Sequence, residues 1–140
     1  MGTHFSNVCN LIFGIGTDII EVDRVKLQLS KEKGLKEELF SPDEIEYCES
    51  KRYPEQHFAG KYAAKEAFFK ATGTGWGSGY AFKQVEVLTD ETGKPEMIVN
   101  GKAKAFITKH KIENIHVTVS HVKTMATATV ILESKTFFKN

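Results

Sequence analysis

Gln56-His57-Phe58-Ala59-Gly60-Lys61-Tyr62-Ala63-Ala64-Lys65-Glu66-Ala67-Phe68-Phe69-Lys70-Ala71-Thr72 is the strongest helical stretch in the chain: rich in alanine, opened by Pro54-Glu55 and closed by Gly73. Phe58, Tyr62, Glu66 and Phe69 step by three or four residues, so Glu66 stands in line with large aromatics and its carboxylate is expected to be partly desolvated. Glu66 and Lys70 are four apart in the favourable order, which on spacing alone is an exposed helix pair stabilising by about 0.3 to 0.5 kcal/mol. Lys61 and Lys65 read, on spacing alone, as solvated helix cations.

Upstream, Leu11–Ile20 alternates. Leu11, Phe13, Ile15, Thr17 and Ile19 are predicted on one strand face, with Ile12, Gly14, Gly16, Asp18 and Ile20 on the other. Two positions without side chains just before Asp18 leave room either for close backbone packing or for a ligand. Residues 23–29 fit a short amphipathic helix, and Ser41-Pro42-Asp43-Glu44 is an N-cap, a first-turn proline and a capping-box glutamate opening a helix to about Ser50. Downstream, 83–89 and 96–99 form a predicted hairpin around the turn residues 90–94, 101–111 a helix, and 115–122 with 125–133 a second hairpin. The fold class is α+β: one domain over 11–133, a mostly antiparallel sheet and a long central helix, flanked by a flexible extension over 1–10 and a frayed tail over 134–140.

A chain of 140 residues can bury a real core without disulfide or metal staples. Nineteen basic against eighteen acidic residues give a formal charge of +1, which offers no general field for nucleic acid or membrane. Cys9 and Cys48 have no CxxC spacing and read as reduced thiols, and neither HExxH nor a Cys/His zinc spacing occurs. The first residues are too polar and the apolar run after them too short for a signal peptide, which predicts a cytoplasmic protein. Gly73–Gly79 follows a helix rather than opening one and is expected to be a flexible turn, not a phosphate loop.

Three segments in order, Gly14-Ile15-Gly16-Thr17-Asp18, then Phe58-Ala59-Gly60-Lys61-Tyr62-Ala63-Ala64-Lys65-Glu66-Ala67-Phe68, then Ser120-His121, resemble the holo-acyl-carrier-protein synthase family of 4′-phosphopantetheinyl transferases. The resemblance implies transfer of the 4′-phosphopantetheine arm of coenzyme A to a serine of apo acyl carrier protein, a step that supports fatty acid biosynthesis, with release of adenosine 3′,5′-bisphosphate. It implies Mg²⁺ held by Asp18 and Glu66, and an assembly of three copies with sites between subunits. It also implies that His121 contacts the nucleotide end of the substrate, where the pattern alone equally allows a structural histidine. Lys70, one turn beyond Glu66, is assigned to the phosphates, with Lys61 and Lys65 as further phosphate candidates and Glu66, through a water, as the base. Arg24, Lys26 and Lys31, continued by Lys33 and Lys36, form the candidate surface for an acidic carrier protein, although this stretch is poorer in arginine than the family pattern. The competing reading from another class is a CoA-binding or oligomeric interaction module that has lost the transfer.

Overall fold

The computed structural model describes residues 6–74 and 79–139. In chain order the elements are β1 (Ser6–Glu21), α1 (Val22–Lys31), α2 (Leu35–Leu39), α3 (Pro42–Glu49), α4 (Pro54–Thr72), α5 (Gly79–Phe82), β2 (Val85–Thr89), β3 (Pro95–Val99), α6 (Gly101–Lys109), β4 (Ile112–His121) and β5 (Met125–Lys139). The α+β class, the long central helix and both antiparallel hairpins agree with the sequence. Two expectations at the ends do not: the strand expected to start at Leu11 starts at Ser6, and the tail expected from Ser134 continues to Lys139. The two segments pair with each other, Ser6 opposite Lys139 through Leu11 opposite Ser134. Neither end was recognisable because each supplies the other's backbone partners and neither is apolar enough to signal a strand alone. Residues 75–78 of the glycine-rich turn lie outside the described residues.

β5 is the middle strand of a three-stranded antiparallel sheet ordered β1-β5-β4, and β2 and β3 form a separate hairpin. Helix α4 lies across one face of the larger sheet. Its Phe58, Ala59, Ala63, Ala64, Ala67, Phe68 and Phe69 are all buried, against Ala126, Ala128, Val130 and Leu132 of β5 and against the surrounding helices. The glycines of β1 explain how closely it docks. A methyl group at Gly16 would stand 2.1 Å from the Ala67 carbonyl oxygen, and one at Gly14 would stand 1.9 Å from that of Ala71. The pair is thus a packing device, and the small residues on both sides let strand and helix backbones meet.

The capping box forms as read: Ser41 Oγ accepts from the Glu44 N–H at 3.2 Å, and Glu44 Oε1 accepts from the Ser41 N–H at 3.0 Å. Gly73 ends α4 in the left-handed conformation, at φ 72°. The expected faces of β1 change at one point. A bulge between Ile12 and Gly14 leaves Phe13 unpaired against β5 and places Ile12 opposite Glu133, on the sheet face away from α4, with Ile15 and Ile19. Ile12, Ile15 and Ile19 are 66%, 62% and 65% exposed there. Phe13 turns instead onto the rings of Phe106 and His110 of α6.

Gly16→Ala forces the backbones of β1 and α4 apart. It should lower the unfolding free energy by about 1–3 kcal/mol, the usual cost of overpacking, read as a drop in the urea midpoint at unchanged slope.

Candidate active site

Asp18 stands on the inner face of β1 between Gly16 and the buried Ile20, and the Thr127 hydroxyl donates to its carbonyl oxygen at 2.8 Å. Lys70, four residues beyond Glu66 on α4, reaches across to it: Nζ donates to Asp18 Oδ1 at 2.8 Å and to the Thr17 carbonyl oxygen at 3.2 Å. The pairing of Lys70 is therefore with Asp18 of the strand. The bond to Asp18 holds the Lys70 ammonium above its ordinary pKa. Glu66 is half-buried beside them. Burial, then the Asp18 charge, push its carboxyl up, while the Lys70 cation and a hydrogen bond from Tyr62 pull it down. Tyr62, one turn before Glu66, has its ring edge-on to Phe82 at 5.2 Å, and burial with the two carboxylates raises its hydroxyl. Arg24 opposes that rise, so its charge acts on this site.

A half-buried Glu66 whose carboxyl is pushed up by burial and then by the neighbouring Asp18 charge suits a hard divalent cation that would relieve the repulsion. Among the described residues no group of three or more His, Cys, Asp or Glu side chains surrounds a common point. A site with two carboxylates and remaining positions for water or phosphate oxygens is the donor set magnesium favours, so Asp18 and Glu66 fit the ion that the sequence implied.

His121 lies elsewhere. It closes β4 on the same sheet face as Asp18, with β5 between the two strands. It lines a cavity of about 270 Å³ with Tyr47 of α3, His57 and Lys61 of α4, and Gly93 and Pro95 of the β2–β3 hairpin. Its Nδ1 is within hydrogen-bond distance of Gln56 Oε1, at 3.1 Å, and its ring stands edge-on to His57 at 4.9 Å. Burial, then the neighbouring His121, hold the His57 imidazole below its ordinary pKa. Lys61 is not a solvated cation: Nζ donates to the Val87 carbonyl oxygen and to Thr89 Oγ1, and sits 4.5 Å above the Tyr47 ring, so its head forms part of the cavity wall.

Lys65 is a correction. Instead of facing phosphates it is fully buried with Glu44: Nζ donates to Glu44 Oε1 at 2.8 Å, to the Phe82 carbonyl oxygen at 3.0 Å and to the Val85 carbonyl oxygen at 2.6 Å, which uses all three of its protons. Glu44 also accepts from the Val87 N–H at 3.0 Å, so the pair ties α3, α4 and β2 together. Of the α1 cations, Arg24 acts on the carboxylate site, Lys26 lines a shallow groove with Leu29, Lys36 and Phe58, and Lys31 closes the last turn. The structure thus joins Asp18, Glu66 and Lys70, and separately Lys61 and His121. Sequence reasoning missed Tyr62 as a partner of Glu66, although the four-residue spacing carried that signal, and missed Tyr47, Gln56 and His57, which carry no motif.

The sequence and fold that carry this arrangement are similar to those of known proteins. The family model described as the 4′-phosphopantetheinyl transferase superfamily matches residues 14–128. Holo-[acyl-carrier-protein] synthase from Geotalea daltonii is 40% identical over 124 residues, covering 88% of this chain and 99% of that protein. The synthase of the same name from Ruminiclostridium cellulolyticum is 42% identical over 128 residues, covering 90% and 96%. A crystal structure of the holo-ACP-synthase from Plasmodium yoelii matches with a TM-score of 0.76 at 28% identity, over 90% of this chain and 98% of that one. The Bacillus anthracis holo-(acyl-carrier-protein) synthase in complex with CoA (3′,5′-ADP) matches at 0.71 and 35%, over 88% and 97%. The chain belongs to the 4′-phosphopantetheinyl transferase superfamily.

Lys65→Met keeps the volume but leaves Glu44 charged and unpaired in the core. It should cost about 3–5 kcal/mol of stability in chemical denaturation, far more than a surface lysine.

Proposed function

We propose that this chain acts as a holo-[acyl-carrier-protein] synthase: it transfers the 4′-phosphopantetheine arm of coenzyme A to a serine hydroxyl of apo acyl carrier protein and releases adenosine 3′,5′-bisphosphate. The observation that carries the reading is the convergence of Asp18, Glu66 and Lys70 on one point. The 40% identity to named synthases supports it along nearly the whole chain.

Mg²⁺ between Asp18 and Glu66 would cover the charge of the pyrophosphate. Lys70 is half-exposed and can swing from Asp18 to the phosphoryl oxygens, where a point charge stabilises the charge that grows as the bond breaks. The serine oxygen bonds to the phosphorus that carries the pantetheine, and the pyrophosphate P–O bond breaks to leave the nucleotide with both electrons of that bond. Glu66, facing the same point as Asp18 and Lys70, takes the serine proton through one water. Tyr62 donates to the same carboxylate and orients it. His121 and Lys61 take the nucleotide end in their cavity.

The working unit is a homotrimer in which a neighbour's cavity completes the site beside Asp18 and Glu66. Two observations support this. Within one subunit His121 and Asp18 stand two strand spacings and two residues of register apart, about 12 Å between backbones. The sheet face away from α4 carries the exposed isoleucines Ile12, Ile15 and Ile19, an apolar surface of the kind that a second copy covers. An acidic carrier protein would dock on α1 through Arg24, Lys26 and Lys31. On this reading the protein works in the cytoplasm, in support of fatty acid biosynthesis. No described helix is long and apolar enough to cross a membrane.

Incubation with CoA, magnesium and apo carrier protein should add one phosphopantetheine to the carrier by mass spectrometry, and EDTA should abolish the gain. A carrier left unmodified while CoA still binds would instead favour the non-catalytic module. Asp18→Ala and Glu66→Ala should each lower turnover by about 100-fold or more with the fold intact by circular dichroism.

Ile19→Lys puts a charge on the apolar sheet face. It should shift the sedimentation coefficient from that of a trimer to that of a monomer and reduce turnover with it.

A further inference from the structure

Gln56 and His57 belong to no motif, yet both touch His121, and the packing of α4 on β4 explains why. Gly60 is the point of closest approach: a methyl group there would stand 2.9 Å from Val119 Cγ1. On the helix, Gln56 and His57 lie four and three residues before Gly60 and share its face. On the strand, His121 lies two residues after Val119 and shares its face. The contact at Gly60 therefore carries the first turn of α4 onto the end of β4 and sets Gln56 and His57 over the His121 ring.

The contacts made there are directional. His121 Nδ1 is 3.1 Å from Gln56 Oε1, an oxygen that can only accept, so Nδ1 carries the proton and Nε2 is left with its lone pair. The His57 ring, 4.9 Å away and tilted 68° to His121, blocks rotation on one side, and Tyr47 packs edge-on behind His57 at 5.8 Å. A histidine that is otherwise exposed at a strand end thus has a hydrogen-bond partner at Nδ1 and a ring against one side.

We propose that Gln56, backed by His57, is a positioning residue for His121: it fixes the Nδ1–H tautomer so that Nε2 is the ring atom offered to the nucleotide end of coenzyme A. This rests on the nucleotide reading of the cavity given above. Gln56 is not among the residues that line the cavity; its effect passes through the imidazole. Gln56→Leu removes the acceptor at nearly the same volume, and Gln56→Glu retains one.

The test is histidine tautomer assignment by two-bond proton–nitrogen NMR at mildly alkaline pH, run beside CoA kinetics on the intact protein. His121 of the wild type should show Nδ1–H. Gln56→Leu should return it to the Nε2–H form usual in water and raise KM for CoA about five- to tenfold, the equivalent of one hydrogen bond, with kcat and the melting temperature unchanged. Gln56→Glu should restore both tautomer and KM. A wild-type Nε2–H tautomer, or a Gln56→Leu protein that keeps tautomer and KM alike, overturns the proposal. Titration with adenosine 3′,5′-bisphosphate separates the two readings. If the His121 signals do not move on addition, the nucleotide assignment of the cavity is wrong, and the tautomer of Gln56→Leu still decides whether Gln56 positions the ring.

Discussion

The backbone of β1 lies against the backbone of α4 at Gly14 and Gly16, closer than any side chain there would permit. Most of the candidate site depends on that contact. Because the glycines face Ala67 and Ala71, the inner face of the strand continues directly into Asp18 at the height of Glu66 and Lys70. A strand carrying ordinary side chains would be held at the usual distance between a sheet and a helix, and the Lys70 ammonium would have no strand carboxylate or Thr17 carbonyl within reach. The two glycines thus act on the chemistry although neither touches it. They set the separation of two carboxylates that belong to different elements and lie far apart in sequence.

The second constraint is the buried Lys65–Glu44 pair. A pair of charges at zero exposure is weak evidence for stability, since desolvation opposes the attraction, but its geometry is specific. Lys65 donates to two carbonyls at the end of α5 and the start of β2, while Glu44 caps α3 and accepts from Val87. Every polar atom in the network has a partner, and none of the groups can be exchanged for another without leaving one unsatisfied. The network anchors the β2–β3 hairpin to α3 and α4, and the cavity beside His121 is walled by those three elements. The interior pair therefore shapes the cavity without being part of it.

The framework was legible because its signals are local. The capping box at Ser41, the left-handed Gly73 and the alternation in the second hairpin each work within a few residues. What the sequence left undecided was the use of the three lysines on α4. At 100° per residue, Lys61 and Lys65 lie 40° apart on the helix surface, and Lys70 lies 140° from Lys65. Spacing alone ranks none of them, because exposure depends on which elements cover which side, and α4 is covered on almost every side. Lys65 meets α3 and β2, Lys61 meets the edge of the cavity, and Lys70 emerges beside β1. The bulge at Phe13 escaped for a similar reason: a one-residue register change leaves no compositional mark, yet it moves Ile12 to the opposite face. The long pairing of Ser6–Asn10 with the chain's last strand was invisible because it joins the two ends of the sequence.

The charges at the carboxylate site also explain why it rests on both a strand and a helix. Two acids on one helix, a turn apart, would stay near the same distance whatever bound between them. The Asp18 backbone is instead tied to β5 through Thr127, and the Glu66 carboxyl accepts from Tyr62 along α4, so the two acids sit on separate supports and the gap between them is set by how strand and helix dock. Of the described groups that bond directly there, the Lys70 side chain is long, flexible and half in solvent, with Arg24 an exposed cation further out. The rigid members are the acids and the mobile member is the cation. Under the proposed function this division would let a multiply charged phosphate ester enter: the lysine would shift its charge from Asp18 toward the incoming oxygens, and no carboxylate would have to be rebuilt to receive it.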